Sequence, residues 1–242
     1  MKKSKFASAL GLICAVALQG GVLGGRALSQ DSPASSSLAS TSRAQRVEGV
    51  AVRVGEGGTS SPVVFLLSDV ELRARLRLAG ESRGPLPMNV LPAELLRATL
   101  EELVGEALIS REAERVQLPE PSDNAIRREV RRLENLGGGS ERAAALLHAM
   151  GASLDELRAS ARRRAQASIF LESNLQADAA VDDLELERVY ESGEHPFIGQ
   201  ELEDVREAMR VWLLRSRIAG AVERWVEALS ARETIVYFAP YH

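Results

Sequence analysis

LLRATLEELVGEALISREAERVQLP, residues 95–119, is the segment that decides the fold. Its apolar residues recur at intervals of four, three and four, which is the spacing that places side chains on one face of an α-helix. They are Leu96, Leu100, Leu103 and Ala107, and the same face is widened by Leu95, Val104 and Leu108. Pro92 precedes the pattern, and Pro119 and Pro121 end it. The segment predicts a long amphipathic helix from residue 92 to about residue 116.

Upstream of this helix the pattern changes to that of β-strands. The apolar runs 50–54 and 63–67 are separated by the glycine-rich residues 55–62, which favours two short strands joined by a loop. Ser68 is followed three residues later by Glu71, the pattern of a capping box, so a helix is predicted to start there. The prolines and glycines between residues 80 and 92 predict a loop after it.

Downstream, five further helices and a final strand are predicted. The helices cover residues 123–136, 140–150, 153–176, 182–192 and 200–232, and the strand covers residues 234–238. The apolar seam of the last helix is Leu202, Val205, Met209, Trp212, Ala219, Val222, Val226 and Leu229. Each strand is too short to be stable unless it is paired. The predicted fold is therefore mainly α, with a small β element formed by the N-terminal strands and the C-terminal strand.

The first thirty residues have the pattern of a secretion signal. Lys2, Lys3 and Lys5 precede an uncharged, mostly apolar stretch at residues 6–25, and small residues at 27 and 29 offer a cleavage site. We therefore expect a signal peptide at 1–29, a flexible Ser- and Ala-rich linker at 30–46 and a folded module at 47–242. The expected location is the periplasm, without stable membrane insertion after cleavage. An uncleaved anchor in the inner membrane is the alternative.

Charge and cysteine content restrict the function further. Removal of the four cations in residues 1–29 would change the net charge from −4 to −8, and an acidic surface is poorly suited to nucleic acid. All the lysines lie in the expected signal, which excludes lysine-dependent covalent chemistry and a P-loop in the mature chain. Cys14, the single cysteine, would leave with the signal, so no disulfide is expected.

No constellation of catalytic or ligating residues emerges from the sequence. His148, His195 and His242 are scattered, and no paired histidines suit a metal. There is no Gly-x-Ser-x-Gly elbow, and residues 55–58 lack the remainder of a nucleotide-binding loop. We therefore expect neither an enzyme nor a bound cofactor or metal.

Four segments resemble the core of SurA/PrsA-type periplasmic chaperones. VVFLLSDVELRARL at 63–76 resembles the family's strand and first helix, and residues 95–119 resemble its second helix. LLHAMGASLDELRASARRRA at 146–165 resembles its Gly-x-Ser helix start. DVREAMRVWLLRSRIAGAVERWVEALSARETIVYF at 204–238 resembles its C-terminal helix and strand. The chain differs from the family in two respects. Eight residues separate its first two strands, where the family has a tight hairpin. Residues 191–200 stand where the family's isomerases insert a parvulin domain of about 100 residues, so we expect no isomerase domain.

The resemblance implies an ATP-independent holdase that binds unfolded or nascent exported polypeptides, including outer-membrane proteins. It also implies that the terminal strand returns to the N-terminal strands. One alternative is a non-catalytic assembly or structural subunit of a cell-envelope complex that uses the same fold. A second alternative is an isomerase-family member that has lost its catalytic domain.

Candidate peptide-binding residues lie on the last predicted helix. Trp212 and Trp225 are about 220° apart around a helix, so one apolar stripe cannot bury both. We expect one of them in the core and the other in the lining of a peptide-binding groove; burial of both against different neighbours is the alternative. Met209 and Leu213 are included as candidate peptide contacts.

Two basic runs, at residues 127–132 and 162–164, admit two interpretations. They can form solvated helix faces paired with Glu and Asp, or they can bind an anionic lipid or protein. We favour the paired, solvated faces because the mature chain is acidic.

Overall fold

The structure, a computed structural model, describes residues 48–56, 61–175 and 181–239. These ranges contain seven helices and three strands, so the prediction of a mainly helical fold is confirmed. The strands are β1 (Val50–Val54), β2 (Val63–Leu66) and β3 (Ile235–Tyr237). The helices are α1 (Leu67–Glu81), α2 (Ala93–Arg115), α3 (Asp123–Leu136), α4 (Ser140–Met150), α5 (Leu154–Leu175), α6 (Asp183–Ser192) and α7 (Leu202–Ser230). The expected signal at 1–29 and linker at 30–46 lie outside the described residues.

The three strands form one antiparallel sheet in the order β2-β1-β3. Val54 pairs with Val63 of β2 on one side and with Ile235 of β3 on the other. The amide of Gly55 extends the second pairing, since it donates to the carbonyl of Thr234 at 2.8 Å. The predicted association of the two ends of the chain is therefore confirmed.

Two apolar cores stabilise the helices. The main core joins β1 to α2 and to the C-terminal parts of α5 and α7, around Phe65, Leu108 and Val222. The second core joins α1, α3, α4 and the N-terminal part of α5, around Leu133 and Leu157. Helices α1 and α5 contribute residues to both cores.

A buried network of charged side chains accompanies this double core. In the sequence of α1, Arg73 follows Val70, which belongs to the main core, and precedes Leu76, which belongs to the second core. Its guanidinium contacts two carboxylates of α2, Glu102 at 3.0 Å and Glu106 at 3.3 Å. All three side chains are almost completely buried. The charges are tolerated there because each one is paired.

The helix starts match the sequence analysis only in part. Ser153 caps α5 as predicted, because its Oγ accepts from the amide of Glu156 at 3.2 Å. Ser68 was predicted to cap α1, and this is wrong. The helix begins at Leu67, and its N-cap is Leu66, two residues before the predicted cap. The Asp69 carboxylate accepts from the amide of Leu66 at 2.8 Å, and Ser68 Oγ donates to Glu48 instead.

The buried face of α7 changes side along the helix. In the N-terminal half of α7, which neighbours α6, the buried residues are Met209 and Leu213. In the C-terminal half, Val222 and Val226 belong to the main core, and α7 contacts α2. Leu213 and Val222 are nine residues apart, which is about 180° around a helix. The single continuous seam predicted for residues 200–232 is therefore two seams on opposite faces.

Candidate peptide-binding groove

A groove of about 610 Å³ lies where the C-terminal turns of α2, α5 and α7 meet. Its apolar wall consists of Val116, Leu118, Phe170, Trp225, Ala228 and Leu229. Its polar lining consists of Glu112, Ser173, Asn174 and Arg232. The lining comes from the three helices and from the residues that directly follow α2 and α7, so the groove depends on how the three helix ends are held together.

Two aromatic rings form the centre of the apolar wall. The ring centroids of Phe170 and Trp225 are 5.4 Å apart at 69°, an edge-to-face contact of the kind that aromatic pairs favour. Phe170 is buried in the main core and Trp225 is half-buried against it. Val116 at the end of α2 leaves 43% of its surface exposed. The wall therefore offers a rigid aromatic surface with an accessible aliphatic edge.

The two polar residues of α5 each donate one hydrogen bond within the helix. Ser173 Oγ donates to the carbonyl of Ile169, and Asn174 Nδ2 donates to that of Phe170, each at 2.7 Å. The Ser173 hydroxyl oxygen and Asn174 Oδ1 retain the capacity to accept. This side of the groove is therefore suited to receive N–H donors from a ligand.

The opposite rim carries a small ionic network. Glu112 accepts two hydrogen bonds from Arg115, at 2.6 and 2.7 Å, and one from Arg232, which follows α7, at 3.3 Å. The hydrogen bonds from Arg115 lower the pKa of the Glu112 carboxyl, against the effect of partial burial, and attraction to both arginines adds to the lowering. Glu112 is therefore ionised at neutral pH.

The mouth of the groove is close to electrically neutral. Its two guanidinium groups and one carboxylate sum to about one positive charge. The C-termini of α2, α5 and α7 each contribute about half a negative charge from their helix dipoles, so the sum at the mouth is within about half a charge of zero. Electrostatic attraction or repulsion at this mouth therefore contributes little to the binding of an apolar segment.

The structure separates the four candidate residues proposed from the sequence. Trp225 lines the groove. Trp212 is half-buried, outside both cores and away from this groove. Met209 has no exposed surface and Leu213 has 9%, so neither offers a peptide-contacting surface in this conformation. The N-terminal half of α7 turns both side chains inward, and neither lines the groove, so their role as peptide contacts stays a prediction.

Sequence reasoning missed Phe170, Val116 and the arginine on the far rim, Arg232. The sequence does predict where these helices end. Pro119 and Pro121 predict the end of α2 near Val116, and the end of the predicted last helix lies at Arg232. That these ends meet follows from tertiary packing alone.

The basic run at 162–164 is mostly internal. Arg162 is exposed and lies 3.6 Å from Glu120, but Arg163 stacks over the Phe65 ring at 4.9 Å. Arg164 is 6% exposed and contacts Glu106 and Glu129, each at 3.3 Å. The expectation of ion pairing is confirmed for Arg162 and Arg164, and the expectation of a solvated face is wrong for Arg164. The run at 127–132 lies on α3, where Arg132 pairs with Glu129 and three arginines are exposed.

The histidines of the described residues lie apart from the groove. His148 is exposed on α4, and His242 lies outside the described residues. His195 stacks on Tyr190 at 5.1 Å, accepts at Nδ1 from the amide of Phe197 and therefore donates at Nε2 to the carbonyl of Tyr190. Within ranges 48–56, 61–175 and 181–239, no group of three metal-ligating side chains converges.

Compared with protein-family models and with curated proteins, the chain matches none of them. Of the seven helices described above, none is long and apolar enough to cross a membrane.

Proposed function

We propose that the protein is an ATP-independent holdase that binds extended, apolar segments of unfolded exported polypeptides. The observation that carries this proposal is the groove between the ends of α2, α5 and α7, with Phe170 and Trp225 in its wall. Its volume of about 610 Å³ falls within the range of about 300–1,000 Å³ that is typical of ligand pockets. It is therefore large enough for the apolar side chains of a short extended segment.

The polar lining suits a main chain rather than one particular side chain. Asn174 uses Nδ2 for the carbonyl of Phe170 and has the acceptor Oδ1, whereas the Arg232 guanidinium beside Glu112 has only donors. An extended peptide presents both N–H and C=O groups along its length. Because the mouth is near neutral, the free energy of binding comes mainly from apolar burial, and this suits a protein with many different clients.

The resemblance of residues 63–76, 95–119, 146–165 and 204–238 to SurA/PrsA-type cores supports the same function and a periplasmic location. The expected signal at 1–29 is consistent with that location. In this proposal the protein uses neither nucleotide nor isomerase chemistry.

The test uses the fluorescence of Trp225. In a Trp212→Phe background Trp225 is the one tryptophan, and the probe is a twelve-residue peptide with two Phe and two Leu separated by Ser and Gln, acetylated and amidated. We expect saturable quenching or a blue shift, with little change between low and physiological salt. A peptide in which Ser replaces the four apolar residues is the control.

Two results would contradict the proposal. One is an unchanged Trp225 spectrum at millimolar peptide. The other is equal binding of the apolar and Ser-substituted peptides. Tight capture of one folded envelope protein together with no peptide binding would favour the assembly-subunit alternative.

A further inference from the structure

The sheet packs one face on the main core and leaves much of its other face exposed. In β1, Val52 and Val54 have no exposed surface and belong to the main core, so Arg53 between them lies on the opposite face. Helices α1 and α2, which contact β1, contribute to the same core and therefore lie on the side of Val52 and Val54. The face that carries Arg53 is the outer sheet face, and its other members are Val50, Val64, Leu66, Val236 and Phe238.

Arg53 is the charged residue of the outer sheet face. Its partners in the sheet register are Val64 of β2 and Val236 of β3, one on each side. In residues 48–56, 61–175 and 181–239, no carboxylate forms an ion pair with its guanidinium, and its Nε is buried without a hydrogen-bond partner. Since a guanidinium has five N–H donors and no acceptor, Arg53 has donors available for an anionic group.

The residues that surround this arginine are apolar and accessible. Leu66 follows Val64 by two residues along β2, and Val50 lies directly opposite Leu66, so the three share one face. Phe238 shares that face because it follows Val236 by two residues. Val50, Val64 and Phe238 leave 40%, 43% and 57% of their surfaces exposed. Adjoining exposed apolar residues of this kind are typical of an interaction surface.

The combination of apolar residues and an unpaired cation restricts what can cover the outer sheet face. A partner that buries Val64 and Phe238 also removes water from Arg53. Loss of hydration by a guanidinium costs free energy unless a carboxylate replaces the water. The partner must therefore offer a carboxylate together with apolar side chains.

Charge disfavours the simpler occupants of this face. A second copy related by a two-fold axis would bring two Arg53 side chains together. The residues directly before β1 include Arg43 and Arg46, which have the same sign as Arg53. Anionic membranes attract clusters of about four to eight cations, whereas this face has a single arginine on a chain of net charge −4. A segment of another polypeptide fits the face better than any of these.

We propose that the outer sheet face binds a segment of a partner polypeptide in which an Asp or Glu stands between apolar side chains. The carboxylate pairs with Arg53, and the apolar side chains cover Val50, Val64 and Phe238. This surface shares no residue with the groove, so the proposal does not depend on the holdase function.

The test titrates isotope-labelled protein with a ten-residue peptide, acetylated and amidated, in which one Glu has Val and Phe on each side and Ser elsewhere. We expect NMR amide shifts in β1, β2 and β3. Replacement of the peptide's Glu by Gln should raise the Kd about ten- to hundredfold, as expected when a charge-assisted hydrogen bond is lost. Arg53→Gln should weaken the Glu peptide by a similar factor and leave the Gln peptide nearly unchanged. Arg53→Lys keeps the charge without the Nε donor, so it should restore part of the affinity.

Two further variants separate the possible outcomes. Val64→Ser keeps Arg53 but removes apolar contact at an exposed site, and it should also weaken the Glu peptide. Val116→Lys alters the groove alone and should bind the Glu peptide as the unchanged protein does. Equal Kd values for the Glu and Gln peptides, or shifts confined to the groove, would overturn the proposal. Arg53-dependent binding of anionic lipid vesicles without any peptide binding would overturn it too, and either result leaves the groove to be judged by its own test.

Discussion

Arg73 Nη1 lies 3.0 Å from Glu102 Oε1 inside the protein, where the exposed fractions of the two side chains are 3% and 0%. Burial alone would lower the pKa of Arg73, yet the negative charges of Glu106 and Glu102 raise it. Glu102 also pairs with Arg77 and lies 3.6 Å from Arg164. The carboxylate of Glu102, on α2, thus contacts three arginines, two on α1 and one on α5.

Glu102→Gln tests the importance of this shared carboxylate. The substitution leaves buried guanidinium groups with one partner fewer, so the free energy of unfolding should fall by about 3–5 kcal/mol. Urea denaturation followed by circular dichroism measures the change. Glu203→Gln, at an exposed carboxylate paired with Arg206, is the matched control and should leave stability nearly unchanged. An equal change in the free energy of unfolding for the two substitutions would show that the buried network stabilises the protein no more than an exposed ion pair does.

Deletion of residues 233–242 tests the closure of the sheet. It removes β3, the Gly55–Thr234 hydrogen bond and the ion pair between Glu233 and Arg111. The free energy of unfolding should fall by several kcal/mol, because strand pairing and the burial of β3 side chains are both lost. Deletion of residues 240–242 alone, which spares β3, is the control. A melting temperature that both deletions leave unchanged would contradict the structural role of the C-terminal strand.

Tyr237 should make the stability of the protein sensitive to alkali. Burial raises the pKa of its phenol, and the negative charge of Glu101 adds to the increase. The folded protein therefore holds this proton more tightly than the unfolded chain does. The associated stability is present below about pH 10 and is lost as the pH rises through the folded-state pKa. Thermal melts between neutral pH and about pH 11 should show a steeper loss for the unchanged protein than for Tyr237→Phe. If the melting temperatures of the two proteins fall in parallel with pH, the raised pKa of Tyr237 is contradicted.

Val116→Lys tests the groove in a holdase assay. The unchanged protein should suppress aggregation of an unfolded outer-membrane porin at near-stoichiometric ratios without nucleotide. A lysine in the apolar wall should weaken this suppression, because a bound segment would have to desolvate the ammonium group. Val90→Lys is the matched control: Val90 is 97% exposed in the loop before α2 and does not line the groove. Both exposed sites should tolerate the change with little loss of stability. Equal suppression by the two variants would exclude the groove as the binding site.

The helices could be predicted closely where the periodicity and the stop signals agree. The predicted helix 92–116 corresponds to Ala93–Arg115, because its heptad-like spacing and its flanking prolines give the same bounds. The cap at Ser68 was predicted wrongly, because its hydroxyl has a distant partner, Glu48, that a local pattern does not reveal. Local signals succeed when the partners lie within one turn.

The site was harder to predict than the fold, because it depends on which helix covers which face. The sequence of α7 shows apolar residues on two sides, but only the positions of α6 and α2 decide that Met209 is covered and that Trp225 borders a groove. Glu102 and Glu106 would ordinarily be assigned to solvent, since glutamate is rarely buried unless it is paired. Their arginine partners lie between 25 and 62 residues away in sequence.

The position of β1 between β2 and β3 has a consequence for the order of folding. Val52 is paired with Tyr237, a residue about 185 positions later, whereas its other neighbour, Phe65, is close in sequence. A strand pair of such high contact order closes slowly, and until it closes β1 presents an open edge to any other extended chain. During synthesis the sheet is therefore completed only after β3 has emerged, and a chain shortened at its end by premature termination would keep that aggregation-prone edge exposed.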